Sequence, residues 1–275
     1  VDEHRNLHRV NSRQCHKCIR DSHKKTYRFK SDILTPIHVG SAIADKKTKK
    51  HLSDIIGDDT EDNISKENTY YCELTAMYWA WKNFNKLGDP DYIGLAHYRR
   101  FLKFNENIPK FHHGATSNFK KYIPYLKSKD IINHCSNYDL IIPKRDFIAD
   151  AKLRPQKNIY EQYKTDHHIN DLELVESIVK TKQPKFYKSF KKTVYKNNFV
   201  YWCNMFLIKR EYYFEYCDFL FSTLGEVKAK ISINDALYDG YQSRVLGFLS
   251  ERLLNVYIQY LKDNVDGIKI KEIPV

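Results

Sequence analysis

Short apolar runs that alternate with helix-length stretches constrain this 275-residue chain more than any other feature. The runs are residues 33–39, 92–96, 138–142 and 199–208, each of strand length. Between them the hydrophobic period changes. Over 69–83, Tyr71, Leu74, Tyr78 and Trp81 recur at three and four residues, with Asn68 and Thr69 as cap candidates and Glu73 near the positive end of the dipole. Leu172, Val175, Ile178 and Val179 mark another helix, stopped before Pro184. A long one, about 241–261, carries Val245, Leu249, Leu253, Val256 and Tyr260. This alternation predicts an α/β fold with a mainly parallel central sheet flanked by helices. No repeat, low-complexity tract or Gly/Ser linker divides the chain, so one domain is expected over 1–275, with halves at about 1–142 and 143–275.

In open α/β sheets ligands bind beyond the carboxyl ends of the strands. The residues in those places are Ser22-His23-Lys24, His97-Tyr98-Arg99-Arg100 and Pro143-Lys144-Arg145. Three strand ends that deliver cations to one rim describe a phosphate site, because Arg can grip a diphosphate bidentately. Lys144 and Arg145 read as solvated loop charges. The paired arginines at 99 and 100 read as the site.

Charge and cysteine usage narrow the classes. Lys and Arg number 46 against 34 acids, a net +12. That excess fits phosphate-bearing ligands, an anionic lipid surface or nucleic acid, or else compositional drift in a chain rich in Lys, Asn, Tyr and Ile. No stretch approaches the ~18–20 apolar residues of a membrane span, and residues 1–30 are polar rather than leader-like. Six cysteines in this length make no disulfide scaffold and fit a reducing cytoplasm. Cys15 and Cys18, with His4, His8 and His23, lack the second paired motif of a zinc site, so no metal ligands are assigned.

Five blocks in order carry a resemblance. They are Gly57-Asp58-Asp59-Thr60-Glu61-Asp62-Asn63-Ile64-Ser65 followed by residues 71–83 (YCELTAMYWAWKN); residues 92–101 (YIGLAHYRRF); Tyr160-Glu161-Gln162-Tyr163 with His167 and His168; Asn204-Met205-Phe206; and residues 241–254. Together they resemble a family of bacterial capsule and lipopolysaccharide glycosyltransferases long catalogued as a domain of unknown function. The resemblance implies a GT-A-like, Rossmann-like nucleotide-sugar fold, with the donor held by residues up to about 142 and the acceptor by those after. It implies transfer of a sugar, galactofuranose or another hexose, from a nucleotide-diphosphate sugar to a lipid-linked or growing capsular, O-antigen or exopolysaccharide glycan. Such an enzyme is cytoplasmic and peripheral at the inner face of the membrane, with Phe111-His112-His113 and Lys120-Lys121-Tyr122 as contact candidates. The match departs from the family at the start. There the Thr-His-Lys turn is Ser22-His23-Lys24, and Lys17, Arg20 and Asp21 are poor residues for a buried strand, which puts it at a sheet edge or makes this segment unusual.

Glycosyl transfer must neutralise a leaving diphosphate and, in inverting enzymes, deprotonate the acceptor hydroxyl. The literal Asp89-Pro90-Asp91 precedes its strand and reads as a turn, not as the Asp-x-Asp that holds Mg²⁺ or Mn²⁺ in many GT-A enzymes. Cationic side chains are expected in place of a metal, with Mg²⁺ or Mn²⁺ kept as the less favoured alternative. The donor-binding candidates are His23, Lys24, Asp59, Asn63, Glu73, Arg99 and Arg100. Asp58, Asp59 and Asp62 are open between metal ligation, sugar-hydroxyl contact and loop or helix-cap structure through Asp59 and Asn63, and Glu73 between nucleotide contact and the helix dipole. Acceptor-binding candidates are Asn204, Asp239, Gln242 and His168. Glu251 and His97 are the candidate catalytic residues, Glu251 being open between a general base and a structural pair with Arg252. Two other classes compete: a basic nucleic-acid-binding module, for which no motif is present, and an inert scaffold in a glycan-assembly complex.

Overall fold

The structure is a computed structural model and describes residues 17–22, 34–96, 100–107, 125–232 and 236–275. Its strands are β1 Lys17–Ser22, β2 Leu34–His38, β3 Ile56–Gly57, β4 Tyr92–Ala96, β5 Leu140–Pro143, β6 Asp146–Phe147, β7 Phe199–Val200, β8 Phe206–Lys209 and β9 Ile270–Ile273. Seven of them form one sheet in the order β3-β2-β1-β4-β8-β5-β9, and β6 pairs with β7 in a separate ribbon. The pairs β2–β3, β1–β2, β1–β4 and β5–β9 are parallel, whereas β8 runs antiparallel to both β4 and β5. The fold is mixed α/β, and one reversed strand supplies both antiparallel pairs of the main sheet.

The helices are α1 Lys46–His51, α2 Asn68–Tyr71, α3 Leu74–Lys82, α4 Ser128–Asn137, α5 Ile159–Asp166, α6 Ile169–Lys182, α7 Pro184–Tyr195, α8 Arg210–Lys230 and α9 Val245–Asn264. Strand side chains alternate between two cores, as the two-residue period requires. Ile93 and Leu95 of β4, Phe206 and Ile208 of β8, and Leu140 and Ile142 of β5 face α3, α8 and α9. Tyr92, Ala96, Leu207 and Ile141 face Ile131 and Cys135 of α4. Both faces being covered, the strands read as unbroken apolar runs.

Several sequence-based boundaries shift, each for a local reason. The helix expected over 69–83 breaks at Cys72, whose φ of 51° and ψ of −129° lie outside helical space. Asn68 closes the break, its Nδ2 donating to the Cys72 carbonyl at 2.7 Å and to Thr75 Oγ1 at 3.1 Å. The run 199–208 divides into β7 and β8, which belong to different sheets, and Cys203 at φ 67° turns the chain between them. Pro184 does stop α6, but it also opens α7 from its first turn. Residues 240–244 form a 3₁₀ turn, so α9 starts at Val245 and Glu251 lies under two turns into it rather than three. β1 sits between β2 and β4, not at the sheet edge.

Candidate functional site

The reversal of β8 decides where the chemistry-bearing residues meet. Leu95 of β4 pairs with Phe206 of β8, so the amino end of β8 lies beside the carboxyl end of β4. Residues 203–205 therefore arrive on the rim where β4 hands over to Arg100. Across that rim stand the break between α2 and α3, carrying Cys72 and Glu73, and the first turns of α9, carrying Ser250 and Glu251. The α2–α9 approach is close because position 247 is glycine: a Cβ there would meet Cys72 Sγ at 3.2 Å.

Asn204 is the hub. It is buried, and both hydrogens of its amide are used: Nδ2 donates to Glu73 Oε1 at 2.8 Å and to Ser250 Oγ at 2.7 Å. Ser250 in turn donates to the Gly247 carbonyl at 2.7 Å, which fixes the amide orientation. Asn204 Oδ1 is left buried with no partner among the described residues. A buried amide oxygen without a donor costs ~1–3 kcal/mol, so it marks a place where a ligand hydroxyl or water is wanted.

Two carboxylates and two guanidinium groups surround this hub. Burial raises the Glu251 pKa above the ordinary range; Arg252 opposes that shift and the negative charge of Glu73 adds to it. Arg100 Nη1 donates to Cys203 Sγ at 3.1 Å, and Arg244 Nε donates to Cys72 Sγ at 3.3 Å. Burial pushes the Cys72 thiol up to about 11 and Cys203 up to about 12, so both are neutral acceptors rather than nucleophiles. Both cysteines hold positive φ, a strain that clusters at functional sites.

The structure thus brings Glu73, Arg100, Asn204 and Glu251 together. Glu251 also pairs with Arg252 Nη1 at 3.2 Å, and Arg252 further binds the Phe248 carbonyl and, at 2.6 Å, Gln162 Oε1. Arg252 is therefore held whether or not Glu251 is charged, and the carboxylate keeps a partly open side. Gln242 lies beside this group, its Oε1 3.1 Å from His167 Nδ1 and its Nε2 donating to the Asp166 carbonyl. Burial and the Arg252 charge hold the His167 pKa down to about 4, which makes it a weak base at neutral pH. His168 Nε2 is 2.9 Å from the Leu237 carbonyl, and exposed Asp239 caps the 3₁₀ turn, accepting from Gly240 N at 2.7 Å.

Other residues that the sequence singled out lie away from this hub. Asp58 is fully buried and accepts from Gly40 N at 2.8 Å, Ser41 N at 3.0 Å and Ser65 Oγ at 2.5 Å, so it ties the turn after β2 to the loop after β3. Asn63 holds that loop through the Glu61 carbonyl and Ser65 N. The loop is pinned to α3, with Trp79 Nε1 donating to Thr60 Oγ1 and Asn83 Nδ2 to the Asp62 carbonyl. Asp59 is exposed on it. Arg145 is taken by Glu272 at 2.7 Å, so it is an ion-pair partner rather than the solvated loop charge expected of it. Asp89 and Asp91 flank the amino end of β4, away from the rim. His23, Lys24, His97 and Arg99, with the contact candidates at 111–113 and 120–122, lie outside the described residues. Among the described residues no three His, Cys, Asp or Glu side chains converge as metal ligands.

Sequence reasoning missed Cys72, Cys203, Ser250 and Arg244. Nothing in the residue types signals a left-handed cysteine, whereas Arg244 stood within a resembling block and was passed over. A cleft of about 320 Å³ opens at the opposite end of the sheet, lined by Tyr92, Asp139, Lys209 and Lys269. Its Asp139 carboxylate is already taken by Lys209 Nζ at 2.5 Å and Lys269 N at 2.7 Å.

A family model described as a domain of unknown function, DUF4422, matches residues 17–263, a span that contains every member of the rim cluster. The chain belongs to this family. Beyond the DUF4422 match, the chain is similar to the solved apo structure of WbbM, a bifunctional glycosyltransferase, with a TM-score of 0.80 and 30% identity. That match covers 94% of this chain and 45% of the other, so the present chain spans less than half of that protein. No curated protein matches.

Proposed function

We propose that this DUF4422 protein is a glycosyltransferase of GT-A-like architecture and that the rim around Asn204 is its transfer site. The observation that carries the reading is one rim that holds both Glu251, a carboxylate whose pKa burial raises and whose chain neighbour Ser250 binds Asn204, and Asn204 Oδ1, buried without a partner among the described residues. A raised carboxylate is a better base for a hydroxyl than an ordinary one. The structural similarity to WbbM supports the same class, as does a single reversed strand that lays an asparagine at the carboxyl end of β4.

In this reading the donor is a nucleotide-diphosphate sugar and the acceptor a glycan hydroxyl. Glu251 takes the hydroxyl proton as the acceptor oxygen bonds to the anomeric carbon. The bond from that carbon to the diphosphate breaks, and the leaving charge falls to Arg100, with His97 and Arg99 on the same connection. Asn204 Oδ1 accepts from a sugar hydroxyl, and Glu73, held by Asn204 Nδ2, keeps the amide turned that way. Cations rather than a metal serve the diphosphate. His23, Lys24, Asp59 and Asn63 extend the donor side, and Asp239, Gln242 and His168 the acceptor side, with residues up to about 142 as the donor half of one domain. A lipid-linked acceptor places the enzyme at the inner face of the membrane, in line with the net charge of +12. No helix of the described residues is long and apolar enough to cross that membrane.

A mass-spectrometric screen of nucleotide sugars, with and without Mn²⁺, tests this. At least one donor should be consumed without added metal, and Glu251→Gln should slow turnover ~10²–10⁴-fold. The rate should climb with pH from the ordinary Glu value upward as Glu251 ionises. If no nucleotide sugar is consumed under any condition, the reading fails.

A further inference from the structure

The lip of the rim carries an aromatic stack that the chemistry above leaves unused. The 3₁₀ turn Gly240–Arg244 leads straight into α9 and holds Tyr241 with 62% of its surface exposed. The ring does not hang free. Phe248 backs it at 4.9 Å between centroids and His167 at 6.3 Å, 19° from parallel. Phe248 and His167 themselves stack at 4.1 Å and 25°. His167 is fixed by Gln242, and Gln242 by the Asp166 carbonyl, so the ring at 241 rests on a braced support. The Arg244 guanidinium sits 5.7 Å from the Tyr241 centroid and 5.5 Å from that of Phe248. Through its bond to Cys72 Sγ the same arginine reaches the residue next to Glu73. Stack and carboxylate cluster therefore share one wall.

A braced aromatic ring, open on one side and edged by polar groups, matches one ligand chemistry well. A sugar ring presents C–H groups on a face and hydroxyls around its edge. The face covers the apolar ring, which otherwise stays in water, while the edge hydroxyls find Arg244 and the Asp239 carboxylate on the same turn. A nucleotide base also stacks on tyrosine, and its phosphates would meet Arg244 beside the ring as well as the Asp239 carboxylate on the same turn, so a nucleotide serves as the competing probe below. We propose that Tyr241, backed by Phe248 and His167, is the platform on which the terminal sugar of the acceptor glycan stacks. This names the acceptor subsite and rests on the transfer reading above.

Saturation-transfer NMR on the whole chain tests it with methyl α- and β-galactosides, glucosides and mannosides at millimolar concentration. At least one glycoside should receive saturation at its ring C–H protons. Tyr241→Ala should reduce that signal at least fivefold, while Tyr241→Phe and Tyr241→Trp, which keep a flat face, should retain it. Equal signals in wild type and Tyr241→Ala overturn the platform, as does the absence of saturation for every glycoside. With uridine diphosphate as a second probe, loss of its uracil and ribose proton signals alone in Tyr241→Ala assigns the ring to the nucleotide and also overturns it. Nucleotide-sugar consumption by the same preparation reads the transfer reaction separately, so a platform that fails in an active enzyme leaves the broader reading intact.

Discussion

His167 shows how a single half-buried ring couples the rim to stability. Its pKa is held down to about 4 from an ordinary 6.5, by burial first and the Arg252 charge second. The unfolded chain therefore takes up a proton between those values that the folded chain refuses, and stability falls as pH drops through the window, by ~3 kcal/mol in all. His167→Phe keeps a ring against Phe248 and removes the titration. The drop in Tm between pH 7 and pH 4.5 should shrink by roughly 5 °C, read by thermal melts at both pH values. Glu251 carries the opposite sign, because burial raises its pKa: its contribution is present below the ordinary value of 4.5 and is lost as pH rises through the raised one. Glu251→Gln should thus be more stable than wild type at neutral pH while much slower in transfer. At this scale the sequence offered Glu73 at a helix start, Arg100 after a strand, and Asn204 and Glu251 within blocks that carry the resemblance. It did not point to Cys72 or Cys203. Positive φ is legible at glycine or asparagine, and a cysteine adopts it only when the surrounding packing compels it.

Elements show the same division between what pattern reveals and what packing imposes. The run at 92–96 was read to the residue because apolar neighbours on both faces leave an uninterrupted signature. The breaks at 72 and 203 interrupt apolar runs without any change in composition, so a helix and a strand were each drawn too long. The acid cluster after β3 was open between ligand and loop, and geometry settles Asp58 as the loop's anchor. Asp58→Asn keeps the shape but turns one of the two oxygens that share three donors, two of them backbone amides, into an NH₂ that faces a donor. It should lower stability by ~1–3 kcal/mol, measured by urea titration, with donor affinity affected only through the fold. α1 points outward with Lys46, Lys47, Lys49 and Lys50 all exposed, and exposed Ile43 and Ile56 flank it. If the protein docks on anionic lipid, this short helix is a described part of the contact. Reversing the four lysines to glutamate should weaken binding to phosphatidylglycerol vesicles at least tenfold, given ~1 kcal/mol per lysine near the surface. The loss should vanish by a few hundred millimolar salt, as flotation would show.

For the molecule as a whole, the four converging rim residues come from widely spaced parts of the chain: the α2–α3 break, the end of β4, the approach to β8 and the start of α9. No local segment holds the site. What joins these parts is β8, the strand between β4 and β5. β4 and β5 are read from the message well before Phe206–Lys209. Until that segment leaves the ribosome, each of the two offers the nascent chain an unsatisfied edge on which a neighbouring polypeptide can dock. Synthesis of this protein therefore passes through an interval in which its most apolar strands need chaperone cover, and a translational pause placed between residues 143 and 206 would lengthen that interval and lower the soluble yield.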